Sequence, residues 1–210
     1  MTTVAVLGAG NIGATLAGKW AAAGHTVVIG TRDPSSEGVH ARADRLGAGI
    51  ATHADAVAGA DVVLFALPGS AMEEATAALG HVLDGKIVID ATNSLGGQVM
   101  NSVGVITAHA PGAKVARAFN SIGWENFDDP DFNGIVADLL WCGPDGDAAE
   151  VVEQLISDVG LRPVRVGGLD QLATVDTVAS LWFALALGQG YGRQLAFKVL
   201  TRDGAGALDE

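Results

Sequence analysis

Short runs of consecutive apolar, largely β-branched residues alternate along this chain with alanine-rich stretches in which apolar positions recur every three or four residues. The first kind predicts strands at 3–7, 26–29, 50–52, 61–67, 86–90, 114–119, 139–142 and 162–166. The second kind predicts helices at 12–23, 35–46, 54–58, 71–79, 103–109 and 148–159. Most of these strands are apolar at every position instead of every second one. Both their faces must then be covered, which suits parallel strands joined by helical crossovers. The fold class that follows is α/β, a doubly wound, mostly parallel sheet.

After Val166 the pattern changes. Residues 169–200 read as helical, with Leu172, Val175, Val178, Leu181, Trp182 and Leu185 spaced by three or four and with Gly188, Gly190 and Gly192 as interruptions. Trp182 and Phe183 spread the apolar surface nearly all round, so something must bury this helix. A subunit interface is the preferred cover, and packing within the chain is the alternative. Two parts are expected: a sheet domain over 1–166, and a small helical C-terminal part over 167–210 that forms a dimer interface. The polar tail over 201–210 is expected to fray.

The 210 residues include 12 basic and 24 acidic side chains, giving a net charge of −12. A nucleic-acid binder needs a basic stripe, and this surface argues against one. The charge is uneven: residues 1–50 hold four basic and three acidic groups, whereas 51–176 hold five and eighteen. A single cysteine, Cys142, suits a reducing compartment. No signal peptide is expected, since Met1-Thr2-Thr3-Val4 has no basic n-region. The most apolar stretch, 178–187, is shorter than the ~20 residues of a membrane span. A soluble, cytoplasmic protein without a membrane partner is expected.

Gly8-Ala9-Gly10-Asn11-Ile12-Gly13 fits G-x-G-x-x-G, follows the first strand and opens the first helix. That context makes it a dinucleotide fingerprint and the sheet Rossmann-type. Gly8 permits the tight turn, Gly10 lets the backbone approach a pyrophosphate, and Gly13 lets helix and strand pack closely. The amides at the helix start, on Asn11 and Ile12, face the phosphates. About twenty residues on, an NAD enzyme carries an acid for the ribose 2′-hydroxyl. Here Gly30-Thr31-Arg32 stands in that place. Arg32 can pair with a 2′-phosphate through its planar fork and Thr31 can donate to it, so NADP is favoured over NAD. Asp33 is the competing ribose acid. Arg32 is also the only Lys or Arg between Lys19 and Arg42.

Ligands of such sheets lie beyond the carboxyl ends of the strands. Leu67 and Pro68 end the fourth predicted strand, and Ala91, Thr92 and Asn93 follow the fifth; these residues are expected to border the nicotinamide. Asn120, Ile122, Gly123 and Trp124 follow the sixth and are expected to face a second planar ring. The five histidines show no metal-ligand spacing, so no metal is expected. His25, at the end of the first helix, reads as a cap. No serine sits in a nucleophile motif, and no residue earns a general acid–base role, with Lys198 the one lysine left open. A carbonyl reductase needs a proton donor. Hydride transfer between two bound cofactors needs mainly stacking and exclusion of water, and the sequence leans toward the latter.

On these residues the chain resembles the family of NADPH-dependent oxidoreductases of the deazaflavin coenzyme F-420. The likeness lies in Gly8 to Gly13, in Ile29-Gly30-Thr31-Arg32, and in Lys114-Val115-Ala116-Arg117-Ala118-Phe119-Asn120. It continues through Cys142-Gly143, Leu161-Arg162-Pro163 and the final glycine-containing helix, over roughly 1–200. The resemblance implies NADP on Gly10, Asn11, Ile12, Thr31 and Arg32, a deazaflavin stacked on the nicotinamide, and a homodimer. Archaeal members of that family carry His-Thr-Ile-Pro after the sixth strand, where this chain has Asn120-Ser121-Ile122-Gly123. The Phe-Asn core is also similar to the cytosolic reductase domains of six-transmembrane metalloreductases, which pass hydride to a flavin. Hydride transfer between NADP(H) and F-420 is the first expectation. An NADPH-dependent flavin (FMN or FAD) or ferric reductase and a non-catalytic NADPH-sensing module are the alternatives. A reductase of imines or β-hydroxy acids fits less well, because only about 40 residues follow Val166 where such folds carry a longer helical domain.

Overall fold

In the computed structural model, which describes residues 1–97 and 99–202, the apolar runs form eight strands of one sheet. They are β1 (Thr3–Leu7), β2 (Thr26–Thr31), β3 (Gly49–Thr52), β4 (Val62–Phe65), β5 (Ile87–Asp90), β6 (Lys114–Arg117), β7 (Asp138–Cys142) and β8 (Arg162–Gly167). Their order is β3-β2-β1-β4-β5-β6-β7-β8. The first six run parallel, and the order reverses between β1 and β4, the switch point where such folds bind ligands. The last two depart from expectation. β7 meets β6 antiparallel through Arg117 and Cys142, and β8 runs parallel to β7.

Side chains alternate across the sheet into two separate cores. Val4, Val6, Val62 and Leu64 point to one, Ala5, Leu7, Val63 and Phe65 to the other. The first is closed by α1 (Asn11–Ala22), through Leu16, Ala17 and Trp20, and by α7 (Asp147–Asp158), through Val152, Leu155 and Ile156. The second is closed by α3 (His53–Ala58), α4 (Met72–Leu79) and α5 (Val103–His109). Each fully buried Leu, Val or Phe contributes roughly 1.5–3 kcal/mol, so two-sided burial explains why the central strands are apolar on both faces. Trp20 bridges α1 and α7, its Nε1 donating to the Leu155 carbonyl at 2.9 Å. The backbone of His25 closes α1 by donating to the Trp20 carbonyl. Its side chain is no cap: it joins Asp158 at 2.7 Å and accepts from the Thr2 amide, tying β1 to the end of α7.

Two helices fall outside the expected pattern. α2 (Glu37–Leu46) starts two residues late, while α6 (Glu125–Asp128) is too short for any periodicity to show. The C-terminal helix is shorter than expected. It opens as a 3-10 turn at Leu169–Gln171, continues as α8 (Leu172–Phe183) and ends as a π turn at Ala184–Gly188. Beyond Gly190 and Gly192, both at positive φ, the chain is extended up to Phe197, which bridges to Asp138. The helix Leu169–Gly188 is, by length and composition, apolar enough to cross a membrane, a longer stretch than the ten residues read from sequence. It packs on the sheet through Val175, Ala179, Trp182 and Ala186, the within-chain alternative, yet leaves Leu181 and Leu187 exposed. Of the tail over 201–210, positions from 203 onward lie outside the described residues.

Candidate functional site

The turn from β1 into α1 is shaped by close approach. Gly8 holds φ +105°, and a side chain there would collide with the Ala66 carbonyl; one on Gly13 would collide with the Gly8 carbonyl. Gly10 differs. A β-carbon on it would meet nothing within 4 Å, so the space above it is open to a ligand. No side chain caps α1 and no acid stands in its first turn, which leaves that turn's amides and positive dipole end for an anion. The three glycines thus fit a pyrophosphate lying on backbone.

Two clefts meet at this loop. The first, about 600 Å³, runs from Gly8 and Ala9 past Gly30, Thr31, Arg32 and His53 to Leu67 and Pro68. The second, about 590 Å³, holds Gly10, Asn11, Ile12, Ala66, Trp124, Glu125 and Arg193. A dinucleotide laid across the loop would place one half in each. In the first, Arg32 is exposed and has no hydrogen-bond or ion-pair partner among the described residues. A side chain at Gly30 would strike Leu7, so the position that carries an acid in NAD enzymes admits none here. Asp33 is committed elsewhere. Its carboxylate accepts from the Ser35 hydroxyl at 2.6 Å and the Ser35 amide at 3.0 Å, and these bonds hold its pKa below the ordinary value.

The residues expected around the nicotinamide and the second ring divide differently. Leu67, Pro68 and Trp124 line the clefts. Ala91 and Thr92 are buried, and the Thr92 hydroxyl is spent on Asp90 at 2.7 Å and on Ser102 at 2.8 Å. Asn93 is half-buried and bridges two loops, donating to the Asn120 carbonyl at 2.9 Å and accepting from Arg117 at 3.0 Å. Ile122 and Gly123 do not face the second cleft as expected, because the chain turns at Phe119 (φ 60°) and carries them inward. Trp20 and Phe127 hold that turn with edge-on ring contacts at 5.8 and 5.6 Å. Gly123 lies under Glu125, Trp182 and the Arg193 backbone. Asn120 is buried too, but both its amide atoms, like the Ser121 hydroxyl, lack a partner among the described residues.

Three features escaped the sequence reading. Arg117 at the end of β6 is wholly buried. It is paired with Asp176 of α8 at 2.9 Å and with Asp90 at 3.4 Å, and it donates to the carbonyls of Asp90 and Thr92. An arginine in an apolar strand was the available signal. Glu125 and Arg193 form a second feature. They pair at 2.6 Å on the rim of the second cleft, with Arg193 over the Trp182 ring at 5.3 Å. Burial alone would raise the Glu125 carboxyl, but the Arg193 hydrogen bond and charge hold it below its ordinary value. The third is His53, beside Arg32. Lys198, in contrast, is occupied by Asp138 and the Val136 carbonyl. Cys142 is buried, which pushes its thiol up to about 11, so it acts as a small hydrophobe. Among the described residues no group of His, Cys, Asp or Glu could hold a metal ion.

Comparison with known proteins agrees with this geometry. The sequence profile of the family described as "NADP oxidoreductase coenzyme F420-dependent" matches residues 3–94, which carry the glycine loop, Arg32 and most of the first cleft. The F420-dependent NADP reductase of Methanothermobacter thermautotrophicus is 28% identical over 206 residues, covering 86% of this chain and 87% of that protein. Over its matched N-terminal residues, 3–94, the chain is similar to this family. A solved structure from Arthrobacter sp. FB24, provisionally described as an F420-dependent NADP-reductase, superposes with a TM-score of 0.82 at 26% identity over 96% of this chain and all of the other. A hypothetical protein of Sinorhizobium meliloti is 33% identical, with a TM-score of 0.69, over 81% of this chain and 87% of its own. The likeness to these two structures therefore extends over most of the chain and not over the glycine loop alone.

Proposed function

We propose that this chain is an oxidoreductase that transfers hydride between NADP(H) and the deazaflavin coenzyme F-420. The observation that carries the reading is the glycine loop opening onto two clefts, with the unpaired Arg32 at the far end of the first. Gly8, Gly10 and Gly13 let the pyrophosphate lie on the amides of Asn11 and Ile12, and Thr31 and Arg32 take the 2′-phosphate. Leu67 and Pro68 flank the cofactor. Ala91, Thr92 and Asn93 support the nicotinamide end from behind. Trp124 offers the acceptor a ring face, with Ile122 and Gly123 as its packed floor and the unpaired Asn120 amide as a polar contact. When both are bound, the nicotinamide supplies the hydride and the deazaflavin accepts it. The protein's part is to hold the rings together and keep water out, and no side chain is assigned a catalytic proton transfer.

The family's names support F-420 as acceptor. Asn120-Ser121-Ile122-Gly123 favours the second reading, an NADPH-dependent flavin or ferric reductase, because this loop departs from the family pattern at the acceptor side. We further propose a homodimer in the cytoplasm, built from residues 1–166 as the cofactor domain and 167–210 as the helical interface. Exposed Leu181, Leu187 and Tyr191 favour the interface. Asp176, ion-paired to the sheet from within the apolar helix, favours packing over a membrane. Steady-state NADPH oxidation with F-420, FMN, FAD and ferric chelates side by side tests the reading. F-420 is expected to give the highest kcat/KM. A higher value with a flavin or ferric chelate overturns it in favour of the second reading, and no oxidation despite tight NADPH binding leaves a sensing module.

A further inference from the structure

The first cleft closes where two strands end together. Thr31 of β2 stands opposite Thr52 of β3 in the last pair of their parallel ladder, so Arg32 and His53 leave the sheet as neighbours. Both line the cleft. Gly30 keeps the ring's place open, since a β-carbon there would stand 3.2 Å from Cδ2 of His53. The imidazole is half-buried. Burial first, and then the Arg32 charge, hold its pKa below the ordinary 6.5, with the Gly30 backbone partly opposing them.

We propose that His53 is a second specificity-determining residue for the 2′-phosphate of NADP(H), which it meets as the imidazolium beside Arg32. The inference rests on the reading that NADP(H) occupies this cleft. Without a ligand, a proton on His53 would sit next to a guanidinium, so the charged ring is disfavoured. A phosphate placed between the two reverses the sign: it gives the imidazolium a partner, and the proton comes from solvent. The other charged groups near the ring are one lining carboxylate and three groups bonded elsewhere. Glu74 of α4 is the only carboxylate among the described residues lining the cleft. Asp55 of α3 is bonded to Thr52, Asp33 to Ser35, and Arg42 of α2 to the Ala9 carbonyl. NAD(H), which lacks the 2′-phosphate, gains nothing from the proton.

Binding of NADP⁺ and NAD⁺ to the wild type and to His53→Gln, measured by calorimetry at pH 6 and pH 8, tests this. The variant is expected to lose about fivefold in NADP⁺ affinity at pH 6 and little at pH 8, with NAD⁺ unchanged at both. The comparison with the variant cancels the phosphate's own protonation, whose second pKa is ~6. In the wild type, the His53 ring resonances, identified by their absence in the variant, should titrate at higher pH with NADP⁺ than with NAD⁺. Equal loss for both dinucleotides, or tight NADP⁺ binding with no change in the His53 titration, would overturn the role. Failure of the wild type to bind NADP⁺ at all would overturn the cofactor reading beneath it as well.

Discussion

Around the tips of β1, β2 and β3, the polar groups most open to an anion, the first-turn amides of α1 without a capping side chain and Arg32, are unpaired among the described residues, while the Thr31 and Thr52 hydroxyls make local bonds. Around the tips of β5 and β6 the polar groups are bonded to one another. Asp90, Thr92, Ser102, Asn93, Arg117 and Asp176 form one network, much of it buried. The difference teaches that recognition and positioning are kept in separate halves. The donor end offers open space and free donors to a phosphate-rich ligand. The acceptor end spends most of its polar groups on fixing two loops and α8, and leaves the Asn120 amide, the Ser121 hydroxyl and one Glu125 oxygen without a partner among the described residues.

The sharpest way to break that contrast is at Arg117. Replacing it with Met leaves Asp90 and Asp176 buried without their cation, and stability should fall by about 3–5 kcal/mol in denaturant unfolding. A loss below about 1 kcal/mol would mean that the acceptor end is not held by this network. Arg32→Ala should do the reverse. Folding stability should hold within about 0.5 kcal/mol, while NADPH affinity falls by about 1.5–3 kcal/mol and NADH affinity barely moves. Equal losses for both cofactors, read by fluorescence titration, would remove the phosphate role.

Gly10→Ala sharpens the donor side further, because the added methyl enters open space. The melting temperature should change by only a few degrees, while NADPH and NADH affinities both fall about tenfold or more as the methyl displaces the pyrophosphate from the amides. The smallest effect is expected from Asp138, away from both clefts. Burial would raise its carboxyl, but Arg162, the Val199 amide and Lys198 hold it below the ordinary value. The stability it contributes is therefore present above the unfolded carboxylate pKa of ~3.9 and is lost as pH falls through the lower folded value. Acid unfolding of Asp138→Asn should be correspondingly less steep than that of the wild type.

The same division explains what was legible in the sequence. The glycine loop and Gly30-Thr31-Arg32 are local, so spacing alone was enough to read them as a candidate donor site. Continuous apolar runs located the central strands, because two-sided burial leaves its mark on nearly every residue there; the edge strands β3 and β8, with no buried residue, were weaker signals. The reversed direction of β7 and β8 left no such mark, since a covered strand is apolar in either direction. Arg117 meets partners 27 and 59 residues away, and His25 one 133 residues away, so neither role has a local pattern. The burial of Ile122 and Gly123 was illegible for a related reason: position after a strand says nothing of the turn at Phe119 that carries them inward. The helix expected up to 200 stops at Gly188, where the glycines and the switch to an extended bridge on Asp138 decide the path.

A single-turnover experiment tests the central claim most directly. Enzyme preloaded with NADPH is mixed with one equivalent of oxidised F-420 in a stopped-flow spectrometer. The account predicts loss of the deazaflavin absorbance in step with NADPH oxidation, one to one, and a much slower reaction for Arg32→Ala at the same concentrations. Bound NADPH that persists with F-420 but is oxidised by FMN, FAD or a ferric chelate would contradict it.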